Sequence, residues 1–187
     1  MWKICFVYSL FLFSSCIPRM YRSDFEDRPC KVNPPEMKEL RFNGAYYRID
    51  TNKKLDVYFF YHNCIQRSFT ADRNHYNSSS ITQSIQECID DFNVSGKKSD
   101  QYFEDGGYSV TNGQITVQGI RYIPQFAWGT VTLKGTIVND STILFTEFRF
   151  PKRDIFENDS IYYHFIKANK PDSLKGNNWK DKKWYWR

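Results

Sequence analysis

From residue 44 onward, short apolar and aromatic runs alternate with polar turns. Gly44-Ala-Tyr-Tyr-Arg-Ile-Asp50 predicts a first strand, Leu55-Asp-Val-Tyr-Phe-Phe-Tyr61 a second and Ile65-Gln-Arg-Ser-Phe69 a third. Thr51–Lys54 and His62-Asn63 are the polar breaks between them. Gly107–Thr111 and Gln114–Gln118 flank Asn112-Gly113, a dipeptide suited to the two positive φ angles of a type I′ hairpin turn. Trp128–Val138, Thr142–Phe150 and Ser160–Lys167 complete a set of about eight strands.

The period changes once. Ile81, Ile85, Cys88, Ile89 and Phe92 fall at i, i+4, i+7, i+8 and i+11, one face of an α-helix. Ser80 followed by Gln83 fits a capping box at its start. Asp90 and Asp91 near its far end oppose the helix dipole. Residues 70–80 and 95–106 read as loops. Many short strands at regular spacing predict a mainly β fold. The expectation is an antiparallel up-and-down β-barrel of about eight strands, with the helix packed against one opening.

The first sixteen residues follow another logic. Lys3 precedes an apolar run from Ile4 to Phe13, then Ser14, Ser15 and Cys16. The run is too short to span a bilayer core, which needs about 20 residues. The order of charge, apolar segment, small residues and cysteine matches a bacterial lipoprotein signal, with Phe13 where an aliphatic residue is usual. A cleaved secretory signal is the alternative. The predicted organisation is a signal over 1–15, a proline-rich tether over 16–39, a barrel over 40–174 and a basic, Trp-rich tail over 175–187. Cys16 is the predicted lipidation site and the membrane the predicted partner, with the outer membrane of a Gram-negative cell the expected location.

Charge excludes one class of partner. The formal net charge is +5, and removal of residues 1–15 takes away only Lys3, leaving about +4. Both signs are interspersed along the chain, so no nucleic-acid footprint is expected. Aromatic residues reach 18% and cluster at Tyr58–Tyr61 and Tyr162–Phe165, which predicts either a barrel filled by large side chains or an aromatic-lined cavity. By strand alternation the interior draws on Tyr47, Tyr58, Phe60, Ile115, Val117, Phe145, Tyr163 and Phe165. Tyr47, Tyr58, Phe60, Phe145, Tyr163 and Phe165 are the candidate ligand-binding residues.

The lipidated start, Gly44-x-Tyr-Tyr47, the Asn112-Gly113 hairpin and Lys134-Gly-Thr-Ile-Val-Asn-Asp-Ser-Thr-Ile143 together resemble small lipoproteins of Bacteroidota. Gly44-Ala45-Tyr46 is similar to the Gly-x-Trp that opens lipocalins, with Tyr in place of Trp. The resemblance implies a lipocalin-like barrel and the binding of a small apolar or amphipathic molecule.

Catalytic signatures are missing from the sequence. His62, His75 and His164 do not pair at metal-ligand spacing, and His62-Asn63-Cys64 supplies at most two ligands of a zinc site that needs three or four. No nucleophile elbow or phosphate loop occurs. No catalytic residue, metal or cofactor is therefore assigned. If Cys16 is lipidated, Cys30, Cys64 and Cys88 remain; the expected disulfide is Cys64–Cys88, with three unpaired thiols as the alternative. Asp140-Ser141-Thr142, Asp159-Ser160-Ile161 and Asp172-Ser173-Leu174 are similar to the O-glycosylation signal of Bacteroidota. Trp179, Trp184 and Trp186 among basic residues in the tail suit either a last strand or a contact with membrane or polysaccharide. The expected function is a non-catalytic barrel that binds a small apolar or amphipathic ligand; the alternative is a module that docks an envelope protein or polysaccharide through its loops and C-terminal tail.

Overall fold

A computed structural model describes residues 40–62, 64–72, 80–95, 104–123, 127–150 and 155–170. The expected signal and tether, the expected lipidation site Cys16 and residues 175–187 lie outside them. The strands are β1 (Gly44–Ile49), β2 (Leu55–Phe60), β3 (Ile65–Ala71), β4 (Glu104–Thr111), β5 (Gln114–Ile123), β6 (Ala127–Asn139), β7 (Thr142–Phe150) and β8 (Ile155–Lys167); α1 (Ile81–Ser95) joins β3 to β4. Each strand pairs with its sequence neighbour and β8 returns to β1, giving a closed antiparallel barrel. Closure gives each described strand a neighbour on both sides along part of its length, so the barrel has no free edge strand.

The turns follow their residues. Asn112 and Gly113 hold φ of 52° and 74°, the left-handed pair of the expected hairpin. Ser80 caps α1, its Oγ accepting from the Gln83 N–H at 3.2 Å. The reciprocal half of the box does not form, because the Gln83 side chain turns along the helix to Glu87. Two strands begin earlier than expected: β4 takes in Glu104–Gly106 and β8 starts at Ile155.

The barrel wall separates two apolar clusters. Inside lie Tyr46, Tyr58, Phe60, Tyr108, Val110, Ile115, Val117, Val131, Leu133, Ile143, Phe145 and Tyr163. On the outer face of β1, β2 and β3, Val57, Phe59, Ile65 and Phe69 meet Ile85, Cys88 and Ile89 of α1. The helix thus covers the wall rather than an opening, because three consecutive strands offer it an apolar outer face. All of β2 is buried, on both sides.

One end of the barrel is closed by the chain that enters it. Leu40 is buried in the inner cluster and Phe42 packs against it. The Tyr46 hydroxyl accepts from the Arg41 N–H at 3.0 Å and donates to the Asp140 carbonyl at 3.1 Å. Arg41 also pairs with Asp140 at 3.1 Å and lies 5.0 Å from the Phe165 ring centre. Lys170, beyond β8, donates to the Phe60 carbonyl at 3.1 Å with its Nζ 4.4 Å from the Tyr61 ring centre.

Candidate functional site

The opposite end holds a cleft between aromatic walls and polar strand residues. Its floor and sides include Arg48, Asp56, Tyr58, Gln66, Ser68 and Tyr163, with Phe148 and Phe150 beside them. Register explains the set. Arg48 pairs with Asp56 and Asp56 with Thr70 across β1, β2 and β3, on the face that also carries Tyr46 and Tyr58. Side chains alternate along a strand, so these polar groups point inward with the aromatics.

Phe148 and Phe150 arrive by a different route. Gly135 pairs with Phe145, but Lys134 pairs with Glu147, so β7 carries an extra residue at Thr146. This bulge reverses the phase of the strand. Without it, Phe145 inward would put Glu147 and Arg149 inward as well. With it, Phe148 and Phe150 turn in and Glu147 turns out to pair with Lys134 at 3.0 Å. Space for the cleft comes partly from Gly119, which lines it and pairs with Gly106 across β4 and β5 in the row of Gln66 and Val131. A Cβ at Gly106 would collide with the Gln118 carbonyl and the Gly119 Cα, so the strands can approach there only without a side chain.

The polar groups are unevenly satisfied. Arg48 Nε donates to Asp56 Oδ2 at 2.7 Å, and the Thr70 hydroxyl donates to Asp56 Oδ1 at 2.7 Å. The guanidinium lies 5.5 Å from the Tyr163 ring centre. Burial pulls its pKa down, but Tyr163 and the Asp56 carboxylate more than offset that and hold it above the usual arginine value. Gln66 is 2% exposed, and its Oε1 has no hydrogen-bond partner. Buried carbonyls are rarely left so.

The free space is small, about 30 Å³. It holds a water or two, far below the roughly 300–1,000 Å³ of a pocket that encloses a drug-sized molecule. Beyond the cleft, aromatic rings of the inner cluster pack against one another and against Val110, Ile115 and Ile143. Tyr58 and Tyr163 meet edge to face at 5.2 Å, Phe145 and Tyr163 at 5.5 Å, and Phe60 and Tyr108 at 4.9 Å. Such contacts are favourable beyond the area they bury.

The six candidate ligand residues therefore divide. Tyr58 and Tyr163 line the cleft. Phe60 and Phe145 fill the middle of the barrel, and Phe165 sits at the closed end, 5.4 Å from Tyr46. Tyr47 belongs outside, against the helix-side cluster; it is Tyr46 that pairs with Tyr58 and points in. Of the further interior residues, Val117 lines the cleft and Ile115 is in the inner core. Arg48, Asp56 and Gln66 are the residues that alternation passed over. Their signal was a polar residue in phase with Tyr46 and Tyr58.

The expected Cys64–Cys88 bridge does not form. Cys64 is disulfide-bonded, whereas Cys88 is buried and in no disulfide. Cys64 belongs to the inner cluster and Cys88 to the outer one, so the barrel wall stands between them. The partner of Cys64 lies outside the described residues. Bonded sulfur also removes Cys64 from any metal site with His62, whose ring packs 4.0 Å from that of Phe42. Among the described residues, no three metal-ligating side chains gather. Of the three Asp-Ser motifs, Ser141 sits in a turn with its hydroxyl on Asn139, Ser160 is exposed in β8, and Ser173 lies outside the described residues.

No protein family, curated protein or solved structure matches this chain, so the functional reading rests on its own residues.

Proposed function

We propose that this chain is a lipid-anchored protein of the bacterial cell envelope, held on the outer membrane through Cys16, whose barrel is a non-catalytic docking module. The signal-like order of Lys3, Ile4–Phe13, Ser14-Ser15 and Cys16 supports the anchor. The observation that carries the docking reading is the filled interior. A carrier of apolar molecules needs a cavity of roughly 300 Å³ or more, and the cleft offers about 30 Å³. A barrel closed at one end and nearly full behind the other is suited to present a rigid surface with a small polar recess. It receives a side group of a larger envelope partner rather than engulfing a whole molecule.

Native mass spectrometry of the mature protein, compared with its denatured mass, tests the choice. The expected native mass equals the covalent mass of polypeptide and lipid, apart from water. A stoichiometric lipid or fatty-acid adduct, lost on denaturation, would instead make the barrel a carrier.

A further inference from the structure

We propose that the cleft recognises the hydroxyl edge of a neutral sugar at the surface of an envelope polysaccharide; this deepens, and rests on, the docking reading. Four observations converge. The first is hydrogen-bond capacity. Arg48 is held through Nε alone, so its two Nη groups remain to donate. Gln66 Oε1, unpaired and almost wholly buried, remains to accept. A hydroxyl does both, accepting from a guanidinium and donating to an amide oxygen.

The second is charge. Arg48 and Asp56 are in contact at 2.7 Å and cancel. Both carboxylate oxygens are already engaged, by Arg48 and Thr70. An entering anion would meet Asp56 and an entering cation would meet Arg48, so the site favours a neutral polar group. The third is the wall. Phe148 and Phe150, only partly buried, place apolar rings beside these polar atoms, a pairing that matches the C–H face and hydroxyl edge of a pyranose. The fourth is size. About 30 Å³ admits one hydroxyl or hydroxymethyl group but no sugar ring. The ring therefore rests at the mouth, where Phe148 and Phe150 are only partly buried, and the rest of the polymer stays outside.

The test uses the mature chain and saturation-transfer NMR. The probes are the methyl glycosides of glucose, galactose, mannose, rhamnose and N-acetylglucosamine at millimolar concentration, with acetate and decanoate as anionic and apolar comparisons. At least one glycoside is expected to bind in preference to both acids. Gln66→Leu removes the unpaired acceptor and should weaken that binding about tenfold, with a melting temperature equal to or above that of the parent. Phe150→Ala provides a second variant at the mouth and should also weaken binding. Silence from all five glycosides would overturn the proposal, as would binding that Gln66→Leu leaves unchanged. A higher melting temperature in Gln66→Leu without any sugar binding would make the recess a water site, and overturn it too. None of these outcomes touches the docking reading, which fails only if native mass spectrometry finds a lipid adduct.

Discussion

Tyr108 shows how one interior side chain links packing to pH. It is 1% exposed, and its hydroxyl donates to the Tyr61 carbonyl at 2.7 Å. Burial raises its pKa well above the ordinary value of 10.0, and burial raises that of Tyr46 also. The folded state therefore keeps protons that the unfolded chain releases above about pH 10. The stability they support is complete below pH 10 and is lost as pH rises through each group's raised pKa, at up to about 1.4 kcal/mol per pH unit for each. Urea unfolding followed from pH 8 to alkaline pH should be flat, then fall. Tyr108→Phe should cost about 1 kcal/mol at neutral pH by removing one of two hydrogen bonds to the Tyr61 carbonyl, which keeps the Cys64 N–H at 3.0 Å, and its alkaline fall should be shallower by one group. An unchanged alkaline slope would show that Tyr108 does not hold its proton on folding. At this scale the sequence was legible where one face of a strand alone is apolar. Tyr58, Phe60, Phe145, Tyr163 and Phe165 all reach the inner cluster or its margin. It was misleading in β1, where Ala45, Tyr47 and Ile49 look like the inward set. The helix makes the outer face of that strand apolar too, while the true inward set, Gly44, Tyr46 and Arg48, includes a charge whose partner, Asp56, lies on the next strand.

Among the elements, α1 is the one whose ends were written in its own residues. Its first turn has no acidic side chain and its last no basic one, so the dipole is uncompensated by charge. The Ser80 cap is accordingly the main local support of the N-terminus. Ser80→Ala should cost about 1 kcal/mol, lowering the melting temperature by roughly 2–4 °C for a domain of this size. Gln83→Ala should cost less, because that side chain bonds along the helix to Glu87 and not back to the cap. Equal losses from the two substitutions, measured by thermal unfolding, would mean that the full capping box forms in solution. The strands were less legible than the helix at their ends and at their irregularities. Asn112-Gly113 announces its turn because few residues tolerate two positive φ angles. Nothing local announces the bulge at Thr146, which depends on pairing with β6 and β8. That one extra residue decides whether phenylalanines or charges enter the cleft, so the site could not be drawn from alternation alone.

For the whole molecule, the placement of the two ends sets how the barrel meets its surroundings. The described chain enters at Leu40, which is buried at the closed end, and the cleft opens at the other. A lipid on Cys16 would thus connect through residues 16–39 to the end away from the cleft. The cleft lies at the end opposite that connection, so the proposed sugar site can face outward from the membrane. Anchor and fold are then separable. Cys16→Ser, expressed in a Gram-negative host, should shift the protein from the membrane pellet to the soluble periplasmic fraction. Its barrel should retain the melting temperature and any glycoside binding of the parent, since none of the residues that build the cleft precedes Arg48. Retention of the variant in the pellet after a high-salt wash would place the membrane contact elsewhere, with the Trp-rich tail as the first segment to delete. Loss of cooperative unfolding would show instead that Cys16 is the disulfide partner of Cys64 rather than a lipid anchor.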